Sequence, residues 1–343
     1  MAKRTYTWDG SAWQGLASPA VSLTNYPDIT TTPISGFRNA LINGGMDVWQ
    51  RGTSGIVPTS TQPYTADRWE SYRSGYAAGM SVYRPAGPTG ITYAARVQRD
   101  VGNTSTASMA FGQAIESVNS TRFDGKNVTL SFWARAGANF SSASSILTAQ
   151  VTYGTGTDQN YRNGFTGNTV VVSSPVTLTT SWQRFTITGN VNAAATQLGV
   201  QFSYTPVGTA GAADHFEITG VQLEEGLIAT PFEQRPFGLE LLLCQRYYHR
   251  LSAGEVSGNY YTATNVYPAI IHPVEMRIPA VLTASSQSAV TVYSNGAGRV
   301  ASAIGFNFST TRIYGMNVTT AAATAGHGAS IGFTGVLEFS AEL

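Results

Sequence analysis

The sequence predicts an all-β protein built from sandwiches or barrels. Three observations predict it. Apolar residues alternate with period two along most of the chain. Turn-forming clusters interrupt that alternation at short intervals. Charged residues make up only 11% of the 343 residues, against roughly 25% in an ordinary soluble domain, so the surface must be polar through Ser, Thr, Asn, Gln and Gly.

The alternation is clearest at 128–134, where Val128, Leu130, Phe132 and Ala134 share one face and Thr129, Ser131, Trp133 and Arg135 the other. It returns at Phe185, Ile187 and Val191, at Leu198, Val200, Phe202 and Tyr204, and at Ile331, Phe333, Leu337 and Phe339. Successive side chains of a strand point to opposite faces, so each run is a half-buried strand. Turns are expected at Pro85–Pro88, Asp124-Gly125, Gly154–Gly156, Asn163-Gly164 and Asn295-Gly296. One strand changes phase. Phe216 and Ile218 share a parity that Val221 and Leu223 break, and a bulge at Gly220 returns both sets to the core.

One segment reads as helix. Leu239 to Cys244 lacks β-branching and glycine, and Leu239, Leu242 and Leu243 fall at helical spacing. Composition then divides the chain into three parts. Residues 1–38 carry a two-strand pattern (Thr5–Trp8, a turn at Asp9-Gly10, Trp13) and an extended linker spotted by Pro19, Pro27 and Pro33. Residues 39–234 form the longest strand-rich block. Residues 235–343 begin with the short helix and hold a second set of strands.

Several partners and chemistries lose support here. A net charge of +1 gives no electrostatic reason to expect nucleic acid. No stretch approaches a transmembrane span, and residues 1–20 lack the apolar core of a signal peptide. The expectation is synthesis in a cytoplasm and delivery by assembly. The single cysteine, Cys244, lies in an apolar run and reads as a buried thiol. The four histidines are scattered without metal-ligand spacing.

The run Asn39-Ala-Leu-Ile-Asn43-Gly-Gly-Met-Asp47-Val-Trp49-Gln-Arg-Gly52-Thr53, followed by Tyr64-Thr-Ala-Asp67-Arg68-Trp69, resembles the opening of a module of phage and prophage tail proteins. The resemblance continues at Ser131–Ala136, Thr180–Phe185, Phe216–Glu224 and Thr230–Gly238, and covers roughly residues 39–250. It implies a jelly-roll β-sandwich like those of carbohydrate-binding modules, followed by a second, smaller C-terminal β-sandwich. Tyr6–Trp13 resembles the short leading segment of tail-fibre proteins, which implies attachment to a particle. The same resemblance implies a homotrimer and a location in the virion.

In the sugar-binding relatives a structural calcium is held by an acidic residue of the first strand and an aspartate of the last. Asp47 matches the first position, but Thr219-Gly220 stands where the last strand carries its Asp-Asp pair. Asp47 with Glu217 or Glu224 supplies too few oxygens for an ion that takes six to eight. The expectation is therefore no metal or other cofactor, with Asp47 bonded to backbone near a strand start.

For a sugar, aromatic rings flanked by amides and an arginine are the needed chemistry. Tyr153, Asp158, Asn160, Tyr161 and Arg162 provide them in one long polar loop, and Tyr260 and Tyr261 with Asn265 and Tyr267 in the C-terminal domain. The bland alternative is that these aromatics pack against a neighbouring subunit or cover the edge of their own sandwich. Glu224 and Glu225 are adjacent on a strand and point to opposite faces, so they cannot act together on one sugar. The reading is a non-enzymatic tail-fibre or receptor-binding subunit that contacts a host-surface glycan. The alternatives are a capsid-decoration, head-fibre or baseplate component without receptor role, and a capsule polysaccharide depolymerase.

Overall fold

The computed structural model describes residues 6–8, 13–15 and 37–343, apart from 61, 62, 77 and 285–289. The chain divides into two compact units, residues 1–36 and 37–343. In the first, β1 (Tyr6–Trp8) and β2 (Trp13–Gly15) pair antiparallel, with Trp8 opposite Trp13. The expected proline-spotted linker lies outside the described residues up to residue 36.

The second unit is all-β and holds two hydrophobic cores. The larger core fills a sandwich of two five-stranded antiparallel sheets. Sheet one contains β4 (Met80–Tyr83), β5 (Ala95–Arg99), β7 (Asn127–Ala136), β10 (Gln183–Asn190) and β12 (His215–Glu225), in the order β10-β7-β12-β5-β4. Sheet two contains β3 (Glu70–Arg73), β6 (Met109–Ile115), β8 (Ile146–Gly154), β9 (Thr169–Thr177) and β11 (Gln197–Tyr204), in the order β3-β6-β11-β8-β9. A single helical turn, α1 (Ser117–Ser120), follows β6. The inward parity is the one the alternation dictates: Val128, Leu130, Phe132 and Ala134 are fully buried, as are Leu198, Val200 and Phe202. Between the sheets Trp69 stacks on Phe111 at 4.8 Å, and Phe132 meets Phe202 edge-on at 4.7 Å. Such ring pairs add about 1 kcal/mol each beyond the area they bury.

The bulge falls where the phase change places it. Gly220 has φ +57°, the register with β7 jumps between Thr219 and Gln222, and Phe216, Ile218, Val221 and Leu223 are all fully buried. The segment before β3 is held against this strand by Asn39 and braced within itself by Asn43. The Asn39 carboxamide accepts from Leu41 N and Leu223 N and donates to Val221 O. Asn43 accepts from Asp47 N and Val48 N and donates to Val48 O and Asp67 O. Gly44 lies so close to the strand that a Cβ would stand 2.2 Å from Val221 O.

The smaller core lies between two further antiparallel sheets. One holds β13 (Tyr248–Asn259), β17 (Val290–Ser294), β18 (Ala297–Val300) and β21 (Gly328–Ser340), ordered β13-β21-β17-β18, with β16 (Val281–Ala284) also beside β21. The other holds β14 (Asn265–Val266), β15 (Ala269–Ile271), β19 (Ala303–Ser309) and β20 (Ile313–Thr319), with β20 central. Asn295 and Gly296, at φ +51° and +73°, form the two-residue turn between β17 and β18.

The expected helix is present as α2 (Phe237–Gln245), but it turns a different face inward. Glu240 and Cys244 are buried, whereas Leu242 is 42% exposed. The reason is local. Glu240 accepts from Asn43 N and pairs with Arg235 at 3.4 Å, so a carboxylate docks where leucines were expected. Cys244 is buried as read, and burial raises its thiol pKa well above the ordinary range.

Candidate functional site: the outer face of sheet one

The long loop after β8 spends its polar groups inside the chain. Asp158 accepts from Ser117 N, its own N–H donates to Ser117 Oγ, and its carboxylate lies 3.5 Å from Arg277. Asn160 donates to Glu70 and to Leu343 O. Tyr161 lies against Gly199, where a Cβ would stand 2.3 Å from the ring, and its hydroxyl reaches Gln150; burial pushes its pKa up to about 12. Arg162 donates to Ser60 O, and Tyr153 packs against the larger core. The structure thus uses this loop as a brace between the sandwich and the C-terminal sheets.

The tyrosine pair of the C-terminal domain is split where the chain leaves β13. Tyr260 is a core residue, 1% exposed and bonded to Thr320, so it does not address a ligand. Tyr261 is 73% exposed and stacks on Tyr267 at 5.2 Å.

The structure does not bring Asp47, Glu217 and Glu224 together. Glu217 takes Arg96 at 2.7 Å and Arg135 at 2.7 Å. Glu224 accepts from Thr230 N, Thr230 Oγ1 and Gln222. The backbone bonds expected of the Asp47 side chain are made by Asn43 instead, because its amide both donates and accepts. Among the described residues no group of three or more His, Cys, Asp or Glu is placed to hold a metal ion.

The outer face of sheet one does collect chemistry. Outward from β7 come Trp133 and Arg135. Across β12 lie Glu217 and Thr219, and beyond them Arg96 of β5. On the other side the residue before β10, Trp182, lies under the Arg135 guanidinium, 4.9 Å from the ring. Glu217 is fully buried beneath two arginines whose side chains are 34% exposed. His215 sits 3.6 Å from Glu217, and burial together with Arg96 lowers its pKa to about 4, so it is neutral at pH 7. Segment 228–232 folds back over the other half of the face. Thr230 bonds Glu224, and Arg184 donates to Thr230 O. What stays open is a strip with two half-buried indoles and two partly exposed guanidiniums fixed by a buried carboxylate.

Such a strip can stack the C–H face of a ring and offer N–H donors to hydroxyls. The network was only half visible in the sequence. Period two puts Trp133 and Arg135 on one outward face, but nothing local ties them to Arg96, Glu217 or Trp182.

No family model and no curated protein matches the chain. Similar folds occur among solved structures. One is a family 4 carbohydrate-binding module, 19% identical, covering 54% of this chain and 98% of that one, with a TM-score of 0.33. Another is the enzymatically active domain of tailspike protein 4 of bacteriophage CBA120, 12% identical over 55% of this chain, with a TM-score of 0.33; only 21% of that chain is covered. A third is the module TmCBM61 in complex with β-1,4-galactotriose, 14% identical, covering 55% of this chain and all of the other, with a TM-score of 0.32. At these values nothing about ligand or activity rests on the likeness.

Proposed function

We propose that this chain is a non-enzymatic glycan-binding subunit of a phage particle, of tail-fibre or receptor-binding type. The observation that carries the reading is the open aromatic and guanidinium strip of Trp133, Trp182, Arg135 and Arg96 on a rigid sheet. The carboxylates of this face support adhesion over catalysis, since Glu217 is matched by two arginines and Glu224 by Thr230 and Gln222. Asp67 and Glu70, whose pKa values burial raises, are buried under neighbouring segments. The sequence resemblance supplies the particle, a homotrimer and attachment through residues 1–38. Repeated weak sites on one particle gain avidity without new contacts.

The test is binding of host-surface polysaccharide to the full chain, with Trp133→Ala and Trp182→Ala alongside a reducing-end assay. The expected result is saturable binding that falls about tenfold in each variant, as loss of one stacked ring predicts, with unchanged melting. Release of new sugar ends, or variants that bind as well as the parent, would overturn the reading.

A second reading, a structural subunit packed in a particle lattice, is favoured by one observation. The C-terminal sheets expose Val281 (68%), Phe306 (63%), Val300 (56%) and Tyr293 (53%), apolar surface of the kind that subunit contacts cover. A map of the particle separates the two. A lattice position on the head favours this reading, and a fibre tip favours adhesion.

A further inference from the structure

A cavity of about 290 Å³ opens beside the strip, walled by Asp47, Ile91, Tyr93, Phe232, Gln234 and Phe237. It continues the open face at Gly220, where a Cβ would stand 2.8 Å from Ile91, 3.1 Å from Trp133 and 3.8 Å from Phe232. Asp47 is half-buried in it, and its carboxylate has no hydrogen-bond or ion-pair partner among the described residues.

The other charges nearby are matched or engaged. Glu240 takes Asn43 N and Arg235. Arg235, which also borders the cavity, donates to Asn39 O, Leu41 O and Glu240. Arg84 lies over the Tyr93 ring, 4.1 Å from its centroid. Burial and then the charge of Glu240 raise the pKa of Asp47 from its ordinary value, and Arg84 offsets this in part. The cavity is therefore short of positive charge at Asp47.

A hard divalent ion fits poorly. It needs several oxygens in a shell, and here one carboxylate faces aromatic walls. An organic cation fits well. A carboxylate neutralises its charge while ring faces attract it and pack its carbon substituents. We propose that this cavity binds an organic ammonium group, with its charge on Asp47 and its carbons against Tyr93, Phe232 and Phe237. The group can come from an amino sugar or from a choline headgroup. For the amino sugar the proposal rests on the glycan reading and adds a charge preference to it.

The experiment titrates the full chain with choline chloride, methyl glucosaminide, uncharged methyl glucoside and calcium chloride, followed by calorimetry. The expected result is binding of at least one ammonium compound, with the glucoside about tenfold weaker or undetected. Asp47→Asn should lower ammonium affinity about tenfold, as loss of a charge-assisted contact predicts. Phe237→Ala, at a 59% exposed wall, should lower it without changing the melting temperature. Choline binding identifies the ammonium as sufficient, and binding of the glucosaminide alone identifies the amino sugar. The proposal is overturned by no ammonium binding, by equal affinity for glucoside and glucosaminide, by an Asp47→Asn variant that binds normally, or by calcium binding alone. Trp133→Ala, measured in parallel on uncharged polysaccharide, keeps the two readings apart. Polysaccharide binding without ammonium preference removes the cavity proposal alone. Choline binding without polysaccharide binding removes the strip alone.

Discussion

Arg68 and Glu342, 274 residues apart in sequence, form a buried ion pair that ties the strand end after β21 to the loop before β3. Arg68 also donates to Ala114 O at 2.9 Å and lies over the Tyr247 ring at 3.7 Å. Glu342 in turn reaches Arg51 at 3.2 Å. The larger and smaller cores are thus joined by charge as well as by chain.

Removing one partner leaves the other charged and desolvated. Glu342→Ala should destabilise residues 37–343 by about 3–5 kcal/mol, because Arg68 is 2% exposed and loses its counter-charge. Urea unfolding followed by tryptophan fluorescence measures it. A loss below about 1 kcal/mol would show that water or another group replaces the carboxylate.

Asn43 satisfies two backbone N–H groups and two carbonyls at a φ of +58°, a conformation asparagine tolerates better than most residues. Asn43→Ala strands these groups in a buried loop and should cost about 3 kcal/mol. Thermal melting of the purified variant checks it.

Gly220→Ala forces a side chain into positive φ and against Ile91 and Trp133. The expected cost is about 1–2 kcal/mol, with a shift in tryptophan emission as Trp133 moves. Unaltered emission together with full stability would mean that the bulge tolerates a Cβ.

Acid should weaken the fold through its buried imidazoles. Burial lowers His215 and His249 to about 4, and lowers His272, whose Nδ1 lies 3.5 Å from that of His249. Between about 4 and the unfolded value of 6.5 the unfolded chain binds protons that the folded chain refuses. This contribution is full above 6.5 and is lost as pH falls toward 4. Glu70 acts in the opposite sense. Burial raises it to about 7 from 4.5, so its contribution is full below 4.5 and is lost as pH rises through 7. His249→Phe should flatten the acid limb by about one proton, and Glu70→Gln should flatten the decline toward neutral pH. Denaturation midpoints from pH 4 to 8 give both slopes.

The legible part of this protein was what depends on neighbours in sequence. Val128 to Ala134 showed which face is buried because a strand alternates every residue. The quarrel of parity between Ile218 and Val221 showed the bulge. The Asn295-Gly296 pair showed its turn through the backbone it permits. Leu242 shows the limit, for helical spacing named an apolar face but a carboxylate at Glu240 found the better partner at Asn43.

The site was less legible. Tyr153 to Arg162 has the composition of a binding loop, and composition does not reveal that Asp158 meets Ser117 and Arg277. Nor does it reveal that Tyr161 fills the space left by Gly199. The sequence by itself determined the all-β class, the inward and outward faces, the bulge at Gly220 and the buried thiol of Cys244. Only the tertiary structure decided that Arg96, Glu217 and Arg135 form one network, that Tyr260 turns inward, and that Asp47 is left without a partner beside three aromatic rings. Facing direction follows from the period of the local backbone. Partnership follows from strand register and loop packing between residues 82 to 274 positions apart.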